Sequence, residues 1–376
     1  MNTDPPSPRP NPSLGRLTNI AQARQRLMQE GRSLAPGWTA PWLERSWQRC
    51  LTSGLHPGQA ISFSHVNASD LRYTLEANQQ LIEAAQPMLH NLARAIVNTR
   101  YFAILTNADG VVVDACGAID HTDPRAHLIT RVGTDLSERS IGTTAIGAAL
   151  AELQPVWLHR GEHFFEATSV YSCAGAPLFG PDGACVGMLD VTGVDVQERP
   201  ELKHLVMQSA SKIENALITA LPHALMLRLN WPGNALGSDA DGMLCLDPDG
   251  WITGANPVAR QMVPGLAVPS QAPVHVSEVF GVPAEPLFDA AKRPANPIEL
   301  PLWSGLRLQA QAITRADEAQ TLQIGPGAPP ARALREVEAA MIRQAVDDAR
   351  GNVGQAARAL GLSRATLYRK LGQKTT

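Results

Sequence analysis

Helical spacing of apolar residues predicts short helices over 20–28 and 42–51, separated by a Gly/Pro-punctuated stretch at 35–41. A longer helical pattern runs over 69–98, with a break expected at Pro87. The period then changes. Segments 102–105 and 111–113 flank Asp109-Gly110, a dipeptide that favours a tight hairpin, so a sheet begins there. Helical spacing covers 137–152, a short strand 156–159, and a second hairpin pairs 176–179 with 184–191 across Pro181-Asp182-Gly183. Leu202, Leu205, Val206, Ile213, Leu217 and Leu221 restore the helical period. A second, smaller sheet follows: 242–246, a turn at 247–250, 251–253, a polar turn at Asn256-Pro257, then 298–302 and 306–313. The mixture of helices and hairpins predicts an α+β multidomain chain built on antiparallel sheets.

Past a Gly/Pro-rich linker the pattern is purely helical. Leu334, Val337, Met341 and Ala345 share one face of a helix that Gly351 ends. Asn352 can cap a second helix that buries Val353, Ala356, Ala357 and Leu360 and stops at Gly361. Ser363 caps a third, which keeps Leu367 and Leu371 inward and turns Arg364, Thr366, Tyr368, Arg369 and Lys370 outward. No repeat of 20 to 50 residues is visible.

Composition narrows the class. A chain of 376 residues exceeds one ordinary core. No apolar run approaches the roughly 18 residues a membrane span needs, and the Pro-rich start (Pro5, Pro6, Pro8, Pro10, Pro12) reads as a disordered leader rather than a signal peptide. A cytoplasmic location with no membrane partner is therefore expected. The five cysteines, Cys50, Cys116, Cys173, Cys185 and Cys245, are scattered and form no CxxC pair, which predicts reduced thiols and no zinc ribbon. The net charge of −3 is unevenly distributed: residues 331–376 carry nine basic and four acidic side chains, a net of +5, leaving −8 for the rest. That tail has the charge expected of a surface that meets phosphates.

The string GNVGQAARALGLSRATLYRKL resembles the DNA-binding end of the Fis family, which also closes the enhancer-binding activators of the nitrogen sigma factor. The resemblance implies an all-α helix-turn-helix whose DNA-binding residues are Asn352, Ser363, Arg364, Ala365, Thr366, Tyr368, Arg369 and Lys370. Arg364 would read a guanine edge, Thr366 and Arg369 would contact bases or phosphates, and Lys370 would clamp the backbone.

Upstream, GTDLSERSIGTTAIGAALAELQPVWLHRGEHFFEATSVYSCAGAPLFGPDGACVGMLDVTG resembles the GAF domain of the acetoin and dihydroxyacetone regulator family. Together with SWQRCLTSGL, the likeness covers most of residues 40 to 195. It implies a small-molecule pocket between sheet and helices, with Trp157, His163, Phe164, Phe165, Tyr171, Cys173 and Asp190 near it. ADGMLCLDPDGWITGANPVARQM is similar to the opening of a PAS domain. His159-Arg160-Gly161-Glu162-His163 spells the inverted zinc-protease pattern, but Pro155, the β-rich Val156-Trp157-Leu158 and Gly161 predict a strand end and loop, where two imidazoles cannot share a helix face. No metal, cofactor or catalytic residue is assigned.

The expected organisation is a leader (1–18), a helical segment (19–68), a GAF-like sensor (69–222), a PAS-like domain (223–318), a linker (319–331) and a Fis-type helix-turn-helix (332–376). None of the five lysines (Lys203, Lys212, Lys292, Lys370, Lys374) follows a glycine, so the phosphate loop of a sigma-factor ATPase is absent. The reading is a ligand-responsive, non-enzymatic transcription regulator. Its expected partners are double-stranded DNA, a small-molecule effector and a second copy of the chain, with RNA polymerase a further candidate. Segments 198–221 and 334–350 are the candidate dimer surfaces. Two other classes stay open: a GAF-type thiol redox enzyme using Cys116, Cys173 and Cys185, and an architectural DNA-bending protein.

Overall fold

The described chain opens on two helices, α1 (Pro12–Arg24) and α2 (Pro41–Thr52). Each begins on a proline, whose missing N–H would have no intrahelical partner in a first turn. The computed structural model describes residues 12–314 except 33, 35–36, 268–271 and 294–295. The candidate DNA-binding segment 332–376 and the linker 319–331 lie outside the described residues. The chain divides into two units after Ile313, and the elements below belong to the first.

The expected leader is corrected over 12–18, which is helical. Arg16 explains why: its guanidinium pairs with Glu162 and, at 3.3 Å, with Glu198. The segment is not a separate module either, because Ile20, Ala23, Leu27, Leu43, Trp47 and Cys50 join one buried cluster with Phe102, Ile104 and Leu158 of the sheet.

Next come α3 (Ala68–Ala77) and α4 (Gln79–Ile96). The expected break at Pro87 does not occur; the helices part at Asn78, and Pro87 sits inside α4. A mid-helix proline costs about 3 kcal/mol, which the burial of Leu81, Ala85, Leu89, Leu92 and Ile96 along one face offsets.

The first sheet is antiparallel in the order β2-β1-β5-β4-β3, from β1 (Tyr101–Asn107), β2 (Val112–Gly117), β3 (Val156–His159), β4 (Tyr171–Phe179) and β5 (Cys185–Val194). Between β2 and β3 run α5 (Pro124–Thr130), α6 (Glu138–Ile141) and α7 (Ala145–Glu152); after β5 comes α8 (Leu202–Ala220). Strand alternation sorts the sheet into two faces. Tyr101, Ala103, Leu105, Ala174, Ala176, Leu189 and Val191 pack with residues of α4 and α8. Phe102, Ile104, Leu158, Tyr171, Cys173 and Met188 pack with residues of α1, α2, α5 and α7 on the other side.

A second antiparallel sheet has the order β8-β7-β6-β10-β9, from β6 (Leu225–Asn230), β7 (Gly242–Leu246), β8 (Ile252–Ala255), β9 (Ile298–Pro301) and β10 (Arg307–Ile313). Its helices are α9 (Pro257–Met262), α10 (Val276–Val279) and α11 (Glu285–Ala291). Asn256-Pro257, expected as a turn, is the start of α9: the Asn256 side chain accepts from Ala259 N at 2.8 Å and Pro257 takes the first helical position. The sheets meet at two places. Ile218 of α8 is buried with Met226, Met243 and Cys245, and Asn256 Nδ2 donates to Asn215 Oδ1 at 2.8 Å. At the tip of the β4–β5 hairpin, Pro181 O accepts from Ala255 N (2.9 Å) and from Arg260 Nη2 (2.7 Å).

Candidate effector cavity

On the face of the first sheet that carries Cys173 lies a cavity of about 20 Å³, room for about one water molecule, so a larger guest enters only if the lining side chains move. Ile104 of β1, Ile129 of α5, Leu136, Ile141 of α6 and Ile146 of α7 form its apolar wall. Polar residues border the same space: His163, Tyr171, Cys173, Asp190 and Thr192, with Thr144 and Thr168. Strand parity delivers several of them, since Tyr171 and Cys173 alternate on β4 as Asp190 and Thr192 do on β5, and Cys173 is the register partner of Thr192.

Asp190 is fully buried, and its Oδ1 has no hydrogen-bond partner. Oδ2 accepts from the Thr192 hydroxyl. Loss of water around the carboxyl raises it from its ordinary 3.8 to about 7, with the Thr192 hydrogen bond pulling the other way. Nδ1 of His163 lies 2.9 Å from Arg160 O. A carbonyl only accepts, so Nδ1 carries the proton. Burial lowers this imidazole to about 4, so it is neutral at physiological pH and Nε2 is left as a bare acceptor. Cys173 Sγ lies 3.4 Å from that nitrogen and donates to it. Burial pushes this thiol well above its ordinary value, and the Asp190 carboxyl pushes it further. Tyr171 is already engaged: its hydroxyl donates to Arg125 O at 3.1 Å, and burial raises its pKa.

The turn that carries His163 is held from outside by α1. Arg24 donates to the carbonyls of Gly161 (3.1 Å), His163 and Phe164 (2.9 Å). Trp47 Nε1 donates to Glu162 O at 2.9 Å. Glu162 in turn accepts from His159 N at 2.7 Å and pairs with Arg16; its burial raises its pKa, with Arg16 opposing.

Of the seven residues expected near a pocket, the structure brings four together: His163, Tyr171, Cys173 and Asp190. Trp157 does not join them. It leaves β3 on the face opposite Leu158, packs with the cluster there, and has Arg16 stacked 4.1 Å above its ring. Phe164 and Phe165 are buried edge-to-face beside the cavity without lining it, and fill the space left by Gly142. Thr192 lies outside the expected set, yet two residues beyond Asp190 on β5 is the position that must share its face. His159 and His163 lie on a strand end and a single 3-10 turn, each engaged by a separate partner, Ser172 Oγ at 2.8 Å and Arg160 O. The eight residues expected to contact DNA lie outside the described residues.

An antiparallel sheet with a small cavity beneath α5, α6 and α7, followed by a second antiparallel sheet with its own helices, defines an α+β protein. The chain belongs to the family described as MimR, N-terminal domain, which it matches over residues 17–215. Residues 333–373 match Bacterial regulatory protein, Fis family. The acetoin catabolism regulatory protein of Cupriavidus necator is 30% identical over 254 residues, covering 66% of this chain and 37% of that protein. The propane 2-monooxygenase operon transcriptional activator MimR of Mycolicibacterium goodii is 29% identical over 236 residues, covering 59% of this chain and 39% of that protein. The chain thus spans well under half the length of these curated relatives. Among solved structures, the E. coli DhaR(N)–DhaL complex aligns with a TM-score of 0.44 and 14% identity over 73% of this chain and 99% of that one.

Proposed function

We propose that this chain is an effector-responsive transcription regulator: a small uncharged molecule occupies the cavity beside Asp190, and the segment 332–376 binds promoter DNA. The single observation that carries the reading is the joining, in one chain, of a Fis-family segment to a domain whose small cavity is bordered by a residue with an unsatisfied buried carboxyl oxygen. A buried polar atom without a partner costs about 1–3 kcal/mol, and a ligand that donates to it recovers that cost. His163, Cys173 and Asp190 are the effector contacts. The name of the Cupriavidus relative makes acetoin, a four-carbon hydroxyketone, the first effector to try.

Arg364, Thr366, Arg369 and Lys370 are assigned to DNA, with Asn352 and Ser363 part of the same segment. Two copies acting on paired half-sites would add their contacts, so a homodimer is part of the proposal. An enzymatic thiol role is disfavoured because burial raises Cys116, Cys173 and Cys185, and thiol chemistry runs through the thiolate. The sequence holds no Gly-Lys pair, so no ATP hydrolysis is assigned. Among the described residues no helix is long and apolar enough to cross a membrane.

The test is selection of bound duplexes from a random pool by the full chain, with and without acetoin. A recovered motif whose occupancy shifts with acetoin or another small neutral metabolite supports the reading. Binding that follows salt alone, with no motif, favours an architectural role instead.

A further inference from the structure

Beside the joint between the two sheets lies an open cleft of about 620 Å³, inside the range of about 300–1,000 Å³ for small-molecule sites. Pro181 and Asp182 of the β4–β5 turn border it together with Asp247, Trp251 and Arg260 of the second module. Three carbonyls hold the Arg260 guanidinium: Nε donates to Ala255 O at 3.2 Å, Nη1 to Leu266 O at 3.1 Å and Nη2 to Pro181 O at 2.7 Å. Gly183 packs against it, since a Cβ there would come within 2.9 Å of Cζ. A guanidinium has five N–H donors. Two therefore stay uncommitted, one on each terminal nitrogen, and among the described residues no carboxylate pairs with this half-buried cation. Burial lowers its pKa, with Asp182 opposing. The two carboxylates are likewise half used. Asp182 Oδ1 accepts from Ala184 N at 2.9 Å, and Asp247 Oδ1 accepts from Asp249 N (3.0 Å) and Trp251 N (2.9 Å), which leaves Oδ2 of each for a further donor. Apolar surface completes the cleft: Ile252, Leu266 and Val274, with a Trp251 ring that is 40% exposed.

We infer that this cleft binds a free α-amino acid with an apolar side chain, its carboxylate on the Arg260 fork and its ammonium on the Asp182 and Asp247 carboxylates. The charges in the cleft select this class. A simple anion would gain the guanidinium but meet two carboxylates, and a simple cation would meet the reverse. A zwitterion satisfies both signs, and its side chain takes the apolar surface beside Trp251. The planar fork of an arginine matches a carboxylate edge, so the two spare N–H groups recognise the ligand's shape as well as its charge. The site is separate from the Asp190 cavity and does not rest on that cavity holding an effector. Its guest would grip the guanidinium that already holds Pro181 O, next to the Ala255 N–H that donates to the same oxygen at 2.9 Å. Binding therefore tightens the joint between the two sheets.

The experiment is calorimetry of the full chain with L-leucine, with leucinamide, which keeps only the ammonium, and with N-acetyl-leucine, which keeps only the carboxylate. Leucine is expected to bind, and each blocked form to bind about tenfold more weakly, the loss of one charged group with its hydrogen bonds. Asp182→Asn and Asp247→Asn keep the oxygen that accepts from the backbone and remove the charge. Each is expected to weaken leucine by about two- to fivefold, the range for a half-exposed ion pair, while N-acetyl-leucine, which has no ammonium, is not weakened. Hydrogen exchange locates the ligand in the wild type, so the reading stays testable even if a variant fails to fold: leucine should slow exchange in peptides covering Ala255 and Arg260. Absence of leucine binding overturns the inference. So does leucinamide or N-acetyl-leucine binding as tightly as leucine, since one charge then suffices. Leucine that binds without slowing exchange around Ala255, and with equal affinity for both variants, lies elsewhere and also overturns it. None of these outcomes bears on the Asp190 cavity, whose test is the acetoin response of DNA binding.

Discussion

The substitution Asp190→Asn isolates the cost of keeping a carboxylate in the cavity. Burial raises this group from 3.8 to about 7 in the folded chain. Each unit is worth about 1.4 kcal/mol, so the ionised form opposes folding by about 4 kcal/mol once the pH is above 7. The direction follows from proton affinity: the folded carboxyl holds its proton more tightly than the unfolded one, so the penalty is absent below 3.8, grows as pH rises, and levels off beyond about 7. The introduced amide would still accept from Thr192, but it adds donors to a site where Asp190 Oδ1 already lacks a partner, at about 1–3 kcal/mol. The variant is therefore expected to be less stable than the wild type near pH 4 and equal or more stable at pH 8, the gap moving by about 1 kcal/mol per unit between pH 5 and 7. Glu214, also raised to about 7 by burial, is present in both proteins and cancels. Exchange of the β4 and β5 amides, corrected for intrinsic rates at each pH, reports unfolding of this sheet alone. Parallel pH profiles for the two proteins would refute the assignment of a buried, late-titrating carboxyl.

Arg24→Ala withdraws the guanidinium from the carbonyls of Gly161, His163 and Phe164; a loss of about 2–4 kcal/mol by urea unfolding is expected, together with weaker effector binding by calorimetry, and unchanged affinity would detach α1 from the site. Gly142→Ala places a Cβ at φ +64, 3.0 Å from Phe164 Cβ and Phe165 Cε2, and is expected to cost about 1–3 kcal/mol in a thermal or urea melt. Arg364→Ala should lower affinity for a selected duplex by about 1–3 kcal/mol and relax preference at one base pair, measured by anisotropy on a set of single-position variants; an unaltered ranking of those duplexes would reassign the readout.

Where turn chemistry is explicit, the fold was legible from residues alone. Asp109-Gly110 and Pro181-Asp182-Gly183 mark the hairpins of the first sheet, and Asp247-Pro248-Asp249-Gly250 marks one in the second. β6 escaped notice because Leu225, Met226, Leu227, Leu229 and Asn230 are all buried, which erases the alternation that betrays a half-exposed strand. At Pro87 local propensity loses to the apolar face on both sides of it. At the site, the resemblance led to Cys173 and Asp190 but could not tell which face each strand residue takes, so Trp157 was grouped with residues on the other side of the sheet. The part played by α1 was hidden by its proline-rich approach, since an ion pair from Arg16 to Glu162 across 146 positions leaves no local pattern.

β4 and β5, which bring Cys173 and Asp190 to the cavity, are the two arms of one hairpin, and the bend that joins them is the point where the second sheet is pinned through Pro181. A guest that pries the arms apart or draws them together therefore moves a handle already gripped by Ala255 and Arg260. In the proposed regulator, occupancy of the cavity would reach the next module through the two strands and the short turn between them.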